Sequence, residues 1–165
     1  MSRSKAPVPK QLSTLVLTPH QLAAIVGHAE ASYPEEACGL IVGRVTRGVA
    51  KAGRIEPSDN VAAERRRDRF EVDPVVRFKV ERALRGTDEA IIGHYHSHPD
   101  HPALPSSTDL ASAFEPEFAW VIVSVQKGEA RAATAHQVRP SGRVFRAIDL
   151  RLAGEARRAP SRARR

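Results

Sequence analysis

Short aliphatic runs alternate along this chain with stretches whose apolar residues return every three or four positions, the two periods of strands and helices. Leu15-Val16-Leu17 reads as a short strand. Thr18-Pro19 then supplies an N-cap and a proline at the first helical position. Leu22, Ile25, Val26 and Ala29 follow at helical spacing, predicting a helix over 19–32 that Pro34 stops. Residues 36–43, EACGLIVG, read as a strand, and Thr46-Arg47-Gly48 as the turn into another over 49–56. A polar connection, 57–69, leads to Phe70-Glu71-Val72, a short strand. Asp73-Pro74 repeats the cap-plus-proline signal, Val76, Val80, Ala83 and Leu84 line one face of a second helix, and Gly86 ends it.

Ala90-Ile91-Ile92-Gly93 opens a strand that runs into a cluster of histidines. A third, shorter helix is predicted from Ser106 to a point before Pro116. Residues 118–125 are apolar nearly throughout, as in a strand covered on both faces. Gly128 turns the chain into a strand over 129–138, and 144–150 supplies the last one. This order predicts one α+β, or mixed α/β, domain around a central sheet flanked by helices. The domain is expected over 14–150, between a basic tail at 1–13 and an arginine-rich tail at 151–165.

Composition narrows the function classes. With 165 residues, 41% apolar and 27% charged, the chain is no wholly disordered protein. No apolar run approaches the roughly 20 residues of a membrane span. The start has basic residues but no apolar core of a secretory signal. A single cysteine, Cys38, leaves no internal disulfide and fits a cytoplasmic location. The net charge of +7 belongs to the ends: removing +3 for residues 1–10 and +5 for 151–165 leaves −1 for the span between them. Solvated tails of this kind give weak, salt-sensitive attraction to nucleic acid or anionic membrane, not a dedicated binding surface.

Chemistry concentrates in HYHSHPDHPALPSSTD, residues 94–109, which hold four of the seven histidines. Strand alternation puts His94, His96 and His98 on one face, with neighbours ~6.5–7 Å apart at the backbone. Two such imidazoles reach one zinc ion, and a carboxylate from the first turn of the next helix, Asp109, is a candidate third ligand. That set leaves the fourth tetrahedral position to water, the catalytic pattern. The same residues have plainer readings. Ser106-x-x-Asp109 is also a variant capping box, and an H-x-H pair alone is a weak metal signal.

Taken together, His96-Ser97-His98-Pro99 and Pro105-Ser106-x-x-Asp109 resemble the motif of the JAMM, or MPN-plus, metalloprotease family. Seven residues separate His98 from Ser106, and two separate Ser106 from Asp109, as the family pattern requires. Upstream, Tyr33-Pro34-Glu35-Glu36-Ala37-Cys38-Gly39-Leu40 is similar to the family's glutamate-bearing strand entry, in a register that selects Glu36. Asn60 and Arg69-Phe70-Glu71-Val72-Asp73-Pro74 match in outline, so the resemblance covers most of 14–150. It implies a cytidine-deaminase-like fold with a mostly antiparallel curved sheet.

The resemblance also implies roles. His96, His98 and Asp109 would hold Zn²⁺, which lowers the pKa of bound water toward ~7. Glu36 would act as general base and then acid, and Ser106 would donate to the developing oxyanion. His94 lies outside the matched spacing and reads as packing behind the ligands or in the core. His101 reads as an exposed loop residue, and His20, His28 and His136 as surface or packing. Cys38 is a rival nucleophile by type, but in an apolar strand it reads as a small buried hydrophobe. Arg65-Arg66-Arg67 reads as a solvated loop.

Compact bacterial members of the family act on ubiquitin-like sulfur-carrier proteins. The implied reaction is cleavage of the amide after the carrier's C-terminal Gly-Gly, releasing an amino acid such as cysteine, as in cysteine biosynthesis. The nearest alternative is a deubiquitinase-like lysine isopeptidase. A noncatalytic scaffold of the same fold is another, although such relatives lack ligand residues that are all present here. Nucleic-acid binding through the tails is the third.

Overall fold

Among the described residues of the computed structural model, 11–141 and 144–155, seven strands and three helices follow in the order β1 (Thr14–Leu17), α1 (Pro19–Ser32), β2 (Cys38–Thr46), β3 (Val49–Ser58), α2 (Pro74–Leu84), β4 (Ala90–Pro99), α3 (Ser107–Ala111), β5 (Ala119–Gln126), β6 (Glu129–Val138) and β7 (Phe145–Leu152). Thr18 caps α1 in a full capping box, its Oγ1 accepting from the Gln21 amide at 3.1 Å while Gln21 Oε1 accepts from the Thr18 amide at 2.8 Å. Asp73 caps α2 through the Val75 amide. The β2–β3 and β5–β6 hairpins turn on Arg47-Gly48 and Lys127-Gly128, each pair with positive φ as a tight two-residue hairpin needs.

The short third helix is present, capped by Ser106 and ending at Ala111, before Pro116. One sequence expectation changes here: Phe70-Glu71-Val72 forms no strand, only a single bridge between Val72 and Asn60. The sheet also differs from an open curved one: it closes into a barrel in the order β1-β3-β2-β4-β5-β6-β7. The closing piece is β1, whose four residues TLVL are all buried and which pairs in parallel with both β3 and β7. With both edges of so short a strand bonded, no sheet edge remains open there. Closure also draws the domain's ends inward. Leu12, expected in the N-terminal tail, is 1% exposed in the core, and β7 runs to Leu152 opposite Leu17. The remaining tail residues, 1–10 and 156–165, lie outside the described residues.

Two apolar clusters share the sheet. The larger takes Leu15, Leu17, Ile25, Ala29, Ile41, Tyr95, Val121 and Val123, with α1 packed into it; the smaller seats Val80 of α2 on Leu40 and Val42. β2 alternates between them, Ile41 to one and Leu40 and Val42 to the other. In β4 the alternation is broken at Ile92, where the pairing with β2 steps from Ile41↔Gly93 to Val42↔Ile91. A one-residue slip exchanges the two faces of a strand. Beyond that bulge Tyr95 points into the main core, while His94 and His96 sit beside Leu40 and Cys38 on the α2 side.

Tyr95 lies over Gly39, its cross-strand partner, and its hydroxyl meets His28 Nδ1 at 2.7 Å. A Cβ at Gly39 would come within 2.4 Å of the Tyr95 ring and 2.6 Å of the Glu56 carbonyl. Gly39→Ala therefore lowers stability by about 1–3 kcal/mol, measured by thermal or urea melts. An unchanged midpoint would show that this close approach constrains nothing.

Candidate active site and metal centre

β4 lies between β2 and β5, antiparallel to one and parallel to the other. Its C-terminal end carries His96 and His98, and the chain returns through a proline-rich loop to α3, whose first turn holds Asp109. The register Cys38↔His96 brings Glu36, two residues before Cys38, level with His98. Ser97, between the two histidines, points the other way and ties the strands together. Its Oγ accepts from the Ala37 amide at 2.8 Å, and its amide donates to the Ala37 carbonyl at 3.1 Å.

Three groups expected to act together from sequence thus converge. His96 Nε2 and His98 Nε2 are 3.0 Å apart, and they lie 3.1 and 3.2 Å from Asp109 Oδ1 and Oδ2. All three residues are buried, and their ligand atoms fall within 4.8 Å of one another. The His98 tautomer follows from its other nitrogen: Nδ1 donates to the Pro102 carbonyl at 2.9 Å, leaving a lone pair on Nε2 in the neutral ring. That lone pair faces a carboxylate oxygen, acceptor against acceptor, so the arrangement suits a cation between them. Two imidazoles and a carboxylate are the donor set of a zinc site with an open position.

Burial and mutual contact shift all three groups. Burial would raise Asp109, but the two imidazoles beside it and the hydrogen bond from the Ser106 amide hold its carboxyl well below the usual range. Burial lowers His96, and Asp109 only partly offsets it. For His98 burial also lowers the pKa, but Asp109, the Pro102 carbonyl and Glu36 outweigh it and the net shift is upward.

Asp109 does two things. Its carboxylate accepts from the Ser106 amide at 2.7 Å, and its amide donates to Ser106 Oγ at 3.0 Å, so the capping box is present as well. Because Ser106 Oγ accepts in that bond, its hydroxyl proton is free to donate elsewhere. Ser106 is exposed and lines a cleft of about 340 Å³ with Glu36, His98, His101 and Leu104. Glu36 is 4% exposed, its Oε2 has no hydrogen-bond partner among the described residues, and burial pushes its pKa up to about 8.

The other histidines separate cleanly. His94 packs against Trp120, ring centroids 4.1 Å apart, and burial drives its pKa down to about 3, so it sits there as a neutral ring. His101 is exposed on the loop and is held through its backbone, its carbonyl accepting from Ser124 Oγ at 2.6 Å and its amide donating to the His98 carbonyl at 3.4 Å. His20 is exposed, His28 is half-buried against Tyr95, and His136 is buried beside Thr134. Cys38 is fully buried, with its thiol pushed up to about 12 by burial, which leaves no thiolate for nucleophilic attack. Sequence reasoning passed over Ser97 and the Pro102 carbonyl. A small polar residue alternating with two candidate ligands was the available signal for Ser97.

A family model described as prokaryotic homologs of the JAB domain matches residues 18–136, a span that includes all the residues above. The chain is 37% identical over 112 residues to the CysO-cysteine peptidase of Mycobacterium tuberculosis, covering 68% of this chain and 74% of that protein. It is 32% identical over 116 residues to the desampylase of Haloferax volcanii, covering 68% and 81%. Among solved structures, a Salinibacter ruber protein aligns with a TM-score of 0.65 at 36% identity, over 90% of this chain and 95% of that one. A Desulfitobacterium hafniense protein aligns with a TM-score of 0.73 at 26% identity, over 87% and 95%.

Proposed function

Since the chain belongs to the prokaryotic homologs of the JAB domain and is a peptidase by its relatives, we propose that it hydrolyses the amide after the C-terminal Gly-Gly of a ubiquitin-like sulfur-carrier protein. The observation that carries the reading is the convergence of His96, His98 and Asp109 beside the buried carboxyl of Glu36, whose Oε2 has no partner among the described residues. His96, His98 and Asp109 would hold Zn²⁺. When bound, that ion supplies Lewis acidity and brings the pKa of a coordinated water toward ~7.

The chain's own residues supply the rest. Glu36 takes a proton from the attacking water and returns it to the departing amine, so one group serves as base and then acid. Its burial favours holding that proton between the two steps. Ser106 donates its free hydroxyl proton to the oxygen that gains charge as the carbonyl is attacked. Pro102 holds His98 in the tautomer with Nε2 open. A Gly-Gly tail has no side chains to exclude, and an extended tail of this kind suits a cleft walled by Pro102, Leu104 and Pro105.

The released amine is read as an amino acid, after the 37% identity to a protein named for a carrier–cysteine substrate. The lysine-isopeptide reading follows from the likeness to desampylases. A carrier–cysteine adduct and a carrier–lysine isopeptide, offered side by side and followed by intact mass, separate the two. The first is expected to be consumed at least about tenfold faster, a difference of roughly 1.4 kcal/mol in transition-state binding. Faster loss of the isopeptide would reverse the assignment, and loss of neither would remove it. No helix of the described residues is long and apolar enough to cross a membrane.

A further inference from the structure

The polar connection between β3 and α2 folds as a compact loop closed at its neck. Val61 donates its amide to the Glu71 carbonyl at 3.0 Å, the Asp73 amide donates to Ser58 Oγ at 2.9 Å, and Asn60 bridges to Val72. Inside it the Asn60 side chain uses its whole hydrogen-bonding capacity. Nδ2 donates to the carbonyls of Glu36 at 3.1 Å and Arg69 at 2.9 Å, and Oδ1 accepts from the amides of Ala62 and Glu71, both at 3.1 Å. The same loop holds Glu36 from the other side, the Arg66 carbonyl accepting the Glu36 amide at 2.6 Å. Both backbone polar groups of Glu36 are therefore fixed by the loop, although its carboxyl is not.

The loop's far end reaches His96. The Phe70 ring stacks on the His96 imidazole with centroids 4.4 Å apart and planes 18° from parallel. His98 is oriented in the ordinary way for a metal-binding histidine, through its second nitrogen. His96 is not: its Nδ1 is buried and has no hydrogen-bond partner among the described residues. Its ring is met face-on by Phe70, with Trp120, His94 and His98 edge-on or tilted around it.

We propose that Asn60 and Phe70 are positioning residues, Asn60 aligning Glu36 through its backbone and Phe70 aligning His96 through its ring. This rests on the roles proposed above for Glu36 and His96. One loop would then set the base and a ligand together, so that each finds the other at the correct separation. Small displacements of reacting groups lower rates steeply, by up to ~10²-fold for about 1 Å.

Two substitutions separate the two functions. Asn60→Asp keeps an oxygen acceptor for the Ala62 and Glu71 amides but loses both donors, so the Glu36 carbonyl loses its anchor while the Glu36 amide stays on the Arg66 carbonyl. Its kcat is expected to fall about tenfold or more, with KM within about twofold, because the loss is felt only in the transition state. Its zinc affinity, measured by chelator competition, is expected to match the parent chain. Phe70→Leu is expected to weaken zinc affinity about tenfold, the scale of a lost orienting contact, and Phe70→Tyr to restore it. Circular-dichroism melts report the folded fraction of each variant. Unchanged kcat and zinc affinity per folded chain in both variants would overturn the positioning roles while leaving the reaction intact. A parent chain that neither binds zinc nor cleaves the carrier conjugate would overturn the underlying reading, and the positioning roles with it.

Discussion

Glu36→Gln is expected to abolish cleavage of the carrier conjugate while leaving zinc in place. Glutamine has the shape of glutamate, and the backbone bonds that hold residue 36, to the Asn60 side chain and the Arg66 carbonyl, do not involve its side chain. What is lost is the ability to take a proton from water and return it to the amine. A positioned acid–base group contributes about 10²–10⁴-fold, and one group serving both steps belongs at the upper end. The fold should not suffer, because the amide fills the same buried volume and carries no charge. Steady-state rates and zinc content on the same preparation check this. A kcat within about threefold of the parent chain would remove Glu36 from the mechanism.

The second large effect is at Asp109, where metal binding and helix capping coincide. Asp109→Ala removes a proposed ligand and also the acceptor of the Ser106 amide, so it mixes two causes. Asp109→Asn separates them. Its oxygen still accepts from Ser106, but the negative charge facing His96 and His98 is gone. Zinc is expected to fall from about one per chain to near none, and cleavage with it, because a neutral amide is a poor substitute for a carboxylate ligand. The cap itself is worth about 1 kcal/mol, so the Asn variant should melt close to the metal-free parent and the Ala variant lower. Undiminished zinc in Asp109→Asn combined with His96→Ala would contradict the ligand set.

The cluster of candidate ligands was readable because its geometry is local. Strand alternation, proline punctuation and a capping signal lie within one sixteen-residue stretch, 94–109, and the structure brings its chosen members to within 3.2 Å. Glu36 is different. Nothing near it in sequence marks a base, and only family resemblance selects it, because its place beside His98 depends on strand pairing sixty residues away. The bulge at Ile92, which decides the face on which His94, His96 and His98 emerge, has Gly93 beside it, but a lone glycine in a strand does not say that the register slips there. Asn60 sits in a connection that reads only as polar and Phe70 in what reads as a short strand, and the partners of both are set by tertiary contact. Barrel closure was hidden for the same reason: the three aliphatic residues of β1 announce a strand but not the two strands it joins. The short α3 follows from its setting. After Ala111 the Ser112 amide already finds carbonyls within the last turn, and Phe114, 83% exposed, has no core to reach for.

The central claim, a peptidase whose hydrolysis depends on the metal held by His96, His98 and Asp109, is tested most directly by titrating zinc back into chelated protein. Zinc content and cleavage of a carrier–cysteine conjugate are followed together on one sample. The predicted result is no cleavage by the chelated chain and full recovery in proportion to bound zinc, levelling at about one ion per chain. Cleavage by the metal-free chain at the undiminished rate would contradict it.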